Sequence, residues 1–175
     1  MYPARMDDRG RVKLPAAFQK YLESLEEKRL FVTSLDRRIA QIYTMAAWRE
    51  NEEFLKTYRG DPKVAKNVAF NAADLGSEAE MDAQGRVLFS PELRRELGIE
   101  NQPVRVFTYR GRIEVLSDRI YEERKHEATQ SPTDDAAKME AAGWNHANHP
   151  AARRIADGVA IQMRPRSCVG PLVGT

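Results

Sequence analysis

The sequence predicts a mixed β/α fold, mainly β: two tandem β-α-β-β repeats paired about a pseudo-twofold axis into a small barrel, with connecting helices and a C-terminal tail. Three observations lead there. MDDRGRV at residues 6–12 returns as MDAQGRV at residues 81–87, agreeing at Met, Asp, Gly, Arg and Val. Each copy is followed by the same kinds of element in the same order. At a constant offset of seventy-five residues Arg11 meets Arg86, Val12 meets Val87, Leu14 meets Phe89 and Phe18 meets Leu93. This concordance carries more weight than the short identity, because a repeat is a structural unit rather than a string.

The elements follow in chain order. In RVKL, Val12 and Leu14 alternate with Arg11 and Lys13, the pattern of a strand with one buried face. Pro15 ends that strand and suits the start of a helix. The helix AAFQKYLESLEEK places Phe18, Tyr21, Leu22 and Leu25 on one face. LFVTS and IAQIY read as two strands joined by the turn LDRR. In the second copy RVLF is the strand and SPELRRELG the helix, with Pro91 near its start and Gly98 just past its end. VRVFTY and RIEVL then form a hairpin around Arg110 and Gly111.

Between the copies two helices are expected. Trp48, Leu55 and Tyr58 share a face of the first, which ends at Gly60. Asp61 caps the second with Pro62 at its first position, and Val64, Ala65, Val68, Ala69 and Ala72 make its apolar stripe up to Gly76. Trp48, Phe54 and Tyr58 read as packing residues of this connector rather than as a base-stacking surface. The division is therefore 1–47 for repeat 1, 48–75 for the connector, 76–119 for repeat 2 and 120–175 for a C-terminal extension. DDAAKMEAAGW in that extension could form a short helix. Residues after about 126 are expected to be largely disordered, being polar and then rich in Pro and Gly.

Composition leaves function open. Charged residues make up 31% and apolar ones 42%, with 28 Lys plus Arg against 26 Asp plus Glu, a net charge of +2. A DNA binder needs a local basic face, which a near-neutral total neither shows nor excludes. The first thirty residues lack the apolar core of a signal peptide, and no apolar run is long enough to span a bilayer. The single Cys168 cannot form an internal disulfide, which suits a reducing compartment. A soluble, cytoplasmic protein is the expectation from these features.

Inside the motif, Asp can accept backbone N–H groups and Gly can take a positive φ, so Asp7, Gly10, Asp82 and Gly85 are assigned to the turns themselves. Arg11 and Arg86 have two readings of equal weight: an ion pair with the Asp four residues earlier, or a guanidinium offered to phosphate or guanine. One Arg can do both. Arg5, Arg9, Arg11 and Lys13 fall within nine residues, whereas Gln84 and Leu88 replace Arg9 and Lys13 in the second copy. The first turn is the more basic of the two. The pairs at 37–38, 94–95 and 153–154 read mainly as solvated charge, with a lesser case for Arg94 and Arg95 facing DNA or a neighbouring subunit.

The doubled Asp-x-x-Gly-Arg-[Val]-x-[Leu/Phe], followed by Pro and a helix, resembles the MraZ family, the tandem members of the SpoVT-AbrB superfamily. RVKLPAAF, TSLD, QIY with Trp48 soon after, GRVLFSPELRRELGI and RIEVL carry the resemblance, which covers residues 1 to about 119. It implies a pair of swapped-hairpin repeats assembled into a ring-shaped homo-oligomer. It also implies a sequence-specific transcriptional regulator, usually a repressor, of the division and cell-wall gene cluster. The implied partner is double-stranded DNA carrying short direct repeats upstream of the protein's own gene. The family's Asp-x-x-x-Arg signature falls on Asp7 with Arg11 and on Asp82 with Arg86. Arg11 is the first candidate DNA contact, with Arg86, Arg9, Lys13 and Arg5 beside it. Leu116 stands where the family often has Trp, and the stretch before the first motif is shorter than is usual in the family.

Other classes have less behind them. His126, His146 and His149 lie outside the repeats, and HANH lacks the further ligands of a metal site. No G-x-S-x-G, P-loop or dinucleotide fingerprint is present, so neither catalysis, cofactor, metal nor small-molecule substrate is expected. An AbrB-like antitoxin and a structural ring or scaffold that binds no DNA remain the alternatives.

Overall fold

The computed structural model describes residues 1–144. Eight strands and six helices follow one another as β1 (Tyr2–Arg5), β2 (Arg11–Lys13), α1 (Ala16–Ser24), β3 (Arg29–Thr33), β4 (Ala40–Thr44), α2 (Met45–Thr57), α3 (Pro62–Leu75), β5 (Ser77–Glu80), β6 (Arg86–Leu88), α4 (Pro91–Leu97), β7 (Pro103–Tyr109), β8 (Arg112–Ser117), α5 (Asp118–Ala128) and α6 (Pro132–Ala141). The fold is mixed and mainly β, as the sequence implies. Each repeat, however, opens with a strand that the sequence pattern does not reveal. YPAR and SEAE have no large apolar alternation, and Pro3 argues against a strand unless it lies at an edge. Both lie at an edge.

Six strands form one antiparallel sheet in the order β1-β7-β8-β4-β3-β5, and β2 pairs with β6 as a separate ribbon. Exchanging the repeats leaves that order unchanged, which is the pseudo-twofold. β1 of the first repeat pairs with β7 of the second, and β5 of the second with β3 of the first. The opening hairpins are thus swapped between repeats. The sheet does not close into the expected barrel, because β1 and β5 remain its two edges. Single bridges, Met6 to Val12 and Met81 to Val87, tie those edges to the ribbon.

The core lies between ribbon, sheet and helices. Val12, Val87, Phe89 and Leu93 are fully buried, joined by Leu14, Phe18, Leu22, Leu30, Val32 and Val106. Ser90 caps α4 by accepting from the Leu93 N–H at 3.2 Å, and Gly98 ends it in the left-handed region at φ 62°. The connector helices pack on the first repeat: Trp48 stacks on Phe31 at 4.2 Å, and Ala72 is buried beside them. Phe54 departs from its expected packing role. It is 63% exposed, its ring 5.9 Å from that of Tyr58, which is itself 39% exposed.

Repeat 2 also ends in a helix. Ser117 caps α5 as Thr44 caps α2, each accepting from the N–H three residues on. Ile120 fixes α5 against Ile39 and Leu116. Helix therefore occupies 118–128, across the start of the extension, and 132–141, where DDAAKMEAAGW reads as a short helix within the stretch expected to be largely disordered. One buried Ile in a charged run carries too little periodicity to announce α5. The rest of that expectation, with Arg153, Arg154, His146, His149 and Cys168, lies outside the described residues. Of the other Arg pairs, Arg37 is not solvated charge: it takes φ 56° in the β3–β4 turn and ion-pairs with Asp74 and Glu96.

Candidate nucleic-acid interface

The ribbon brings the two motif copies side by side. Its register sets Arg11 opposite Leu88, Val12 opposite Val87 and Lys13 opposite Arg86. Side chains alternate across a strand, so the two fully buried valines turn Arg11, Lys13, Arg86 and Leu88 to the other face. Each strand then hands over to the opposite turn. The Leu14 N–H donates to the Gly85 carbonyl and the Phe89 N–H to the Gly10 carbonyl, both at 2.9 Å.

Each turn is built on its Asp. Asp7 Oδ1 accepts from the backbone N–H groups of Arg9 at 3.0 Å and Arg11 at 2.8 Å, while Oδ2 takes Arg11 Nε at 2.9 Å and Nη2 at 2.7 Å. Asp82 repeats the pattern with Gln84 and Arg86 N–H at 2.9 Å each and Arg86 Nε at 2.8 Å. Gly10 and Gly85 take φ of 78° and 75°, where a side chain is strained. The Arg11 guanidinium, its hydrogen bond first, holds the Asp7 carboxyl below its ordinary value. Burial pushes Asp82 up, but the Arg86 backbone and side chain with the Gln84 N–H outweigh it, and the net direction is down. Both turns are charged at neutral pH.

The remaining candidate residues differ in how far they are engaged. Arg11 and Arg86 are about a quarter exposed, at 22% and 27%, with one edge of each guanidinium on its own Asp. Arg11 Nη1 also lies 4.0 Å from Asp82 Oδ2, and Arg86 Nη2 donates to Gln84 Oε1 at 2.8 Å. Arg9 and Lys13 are exposed and form no ion pair among the described residues. Arg5 stands apart, its Nη2 donating to the Asn101 carbonyl at 2.8 Å and to Asn101 Oδ1 at 3.0 Å.

Two residues behind the turns escape a reading confined to the motif. Gln19 of α1 lies against Gly85, and Arg94 of α4 lies against Gly10, so each turn rests on a helix of the other repeat. Arg94 is thus not solvated charge: its side chain is only 15% exposed. The offset of seventy-five that aligns the motifs also aligns Gln19 with Arg94, the one signal that could have found them. Among the described residues no three His, Cys, Asp or Glu side chains group as a metal site would require.

Strands exchanged between two repeats of one chain, meeting in a ribbon with an Asp-braced arginine turn from each repeat, define a tandem strand-exchanged repeat protein. No family model matches the chain. It is 30% identical over 139 residues to the transcriptional regulator MraZ of Acidobacterium capsulatum, covering 79% of this chain and 94% of that protein. To the transcriptional regulator MraZ of Koribacter versatilis it is 31% identical, over 75% of this chain and 87% of the relative. To that of Caldanaerobacter subterraneus subsp. tengcongensis it is 34% identical, over 70% and 82%. The chain belongs to the MraZ family.

Proposed function

We propose that this protein is a DNA-binding transcriptional regulator, acting mainly as a repressor of the division and cell-wall gene cluster. It binds short direct repeats upstream of its own gene as a ring-shaped homo-oligomer. One observation carries the reading: the β2–β6 ribbon turns its apolar side to the core and lines its outer side with Arg11, Lys13 and Arg86. The names of the relatives, transcriptional regulators rather than enzymes, support it. In this reading the protein works at the nucleoid; among the described residues no helix is long and apolar enough to cross a membrane.

In this reading Arg11 is the principal contact, already held by Asp7 and with Nη1 4.0 Å from Asp82 Oδ2, so that little further side-chain entropy is lost on binding. Arg9 and Lys13 supply phosphate contacts, Arg86 a weaker one, and Arg5 a flanking one. A single ribbon offers too few contacts for tight binding. A ring presents many copies, and once one operator repeat is engaged the next is met at high effective concentration. Occupancy of the promoter then blocks polymerase sterically.

The test is a footprint on DNA from upstream of the protein's own gene, with sedimentation of the same sample. Protection of regularly spaced repeats by a closed oligomer, absent with Arg11→Ala, is expected. A strictly monomeric protein that protects nothing at low salt would refute the reading.

A further inference from the structure

The two turns rest on different side chains, and the difference is larger than the fold requires. A β-carbon added at Gly85 would lie 2.1 Å from the Gln19 side chain, and one added at Gly10 would lie 1.2 Å from Arg94 Nη1. Behind the second turn the solution is neutral and satisfied, since Gln19 Nε2 donates to the Leu14 carbonyl. Behind the first turn stands a cation. Arg94 Nε is buried with no hydrogen-bond partner, and its nearest acid, Glu100 Oε1, is 3.7 Å away. A largely buried guanidinium whose one ion pair, at 3.7 Å, makes no hydrogen bond to Nε is a poor way to brace a turn. Glutamine does that work at the pseudo-symmetric position without a charge. Arg94 therefore calls for a reason outside the free fold.

We infer that Arg94 completes a phosphate subsite at the first turn, built from both repeats: the Asp7–Arg11 turn from repeat 1 and a guanidinium from α4 of repeat 2. This rests on the reading of the ribbon as a DNA surface. The ligand is a backbone phosphate of duplex DNA, seated where Arg9, Arg11 and Lys13 already gather positive charge. Phosphate oxygens accept from guanidinium N–H groups and add a counter-charge to the single one that Glu100 supplies. Gly10 then has two reasons to be glycine: its φ of 78° and the guanidinium against its α-carbon. The second turn, with Gln19 behind it and Gln84 and Leu88 in place of Arg9 and Lys13, lacks this subsite. Each subunit grips DNA phosphate through its first repeat and uses the second as a brace.

The experiment is a salt series of anisotropy titrations on duplex DNA from upstream of the gene, with wild type, Arg94→Gln, Gln19→Arg and Arg11→Ala. Each variant's melting temperature is measured alongside. Arg94→Gln copies the brace at Gly85, so it is expected to keep the wild-type melting temperature. It should flatten the dependence of log K on log salt by about 0.9, the loss of one phosphate contact. Gln19→Arg is expected to steepen it by a similar amount, which a purely structural role would not do. Wild-type affinity and slope in Arg94→Gln, with binding lost in Arg11→Ala, would overturn the subsite and leave the DNA reading standing. Should Arg94→Gln unfold, an unchanged slope in Gln19→Arg would overturn it equally. No binding by wild type would remove the DNA reading and the subsite together.

Discussion

A carboxylate that takes two backbone N–H groups and a guanidinium is more favourable ionised than protonated, and Asp7 and Asp82 both meet that description. Their folded pKa values are lowered, so the stability they confer is present above the unfolded value of about 3.9 and lost as pH falls through the lower folded ones. Urea midpoints measured down an acid series should drop there, and Asp7→Asn with Asp82→Asn should flatten that drop. An acid limb unchanged in the double variant would show that the turns are not held by these charges. Glycine gives a second residue-scale expectation. Gly10→Ala and Gly85→Ala meet both a positive φ and an occupied space, whereas Gly98→Ala meets only the φ. By chemical denaturation Gly98→Ala should cost about 1 kcal/mol and the two turn variants clearly more. At this scale the Asp and Gly roles are legible in sequence because their partners lie within four residues. Arg94 is not, because the residue it touches belongs to the other repeat.

Among elements, those that carry their own boundary signals are readable from the sequence. Helices α3 and α4 announce themselves through Asp61 with Pro62 and Ser90 with Pro91. Strands β1 and β5 announce nothing, since their stability comes from pairing with β7 and β3 of the opposite repeat. Helix α5 is hidden for a related reason, its fixing contact being one Ile on residues of two strands. Two substitutions test how far local geometry sets element stability. Ser90→Ala removes the α4 cap and should cost about 1 kcal/mol. In the β7–β8 turn Arg110 is held at φ 48° before Gly111 at 78°, a two-residue turn that favours Asn-Gly. Arg110→Asn should therefore stabilise by up to about 1 kcal/mol, or roughly 2–4 °C in melting temperature. A fall in melting temperature would show that Arg110 is held there by contacts outweighing its backbone strain.

At the scale of the whole molecule, strand exchange makes the repeats inseparable. β1 has its sheet partner in repeat 2 and β5 in repeat 1, and the ribbon takes one strand from each. Calorimetry of residues 1–144 should give one transition with matching calorimetric and van't Hoff enthalpies, and neither 1–75 nor 76–144 should fold alone. Two separable transitions would contradict the exchange. The same exchange places both arginine turns on one ribbon, so the proposed DNA binding and the folding would depend on the same few strands. That dependence is tested most directly by one titration: fluorescence anisotropy on duplex DNA from upstream of the gene against a shuffled duplex, at low and near-physiological salt, with Arg11→Ala beside wild type. Preferential binding to the upstream duplex that survives the higher salt, and is lost in Arg11→Ala, is the predicted result. Equal binding to both duplexes that salt erases, or none at all, would contradict it and leave the doubled turn a device for joining two repeats.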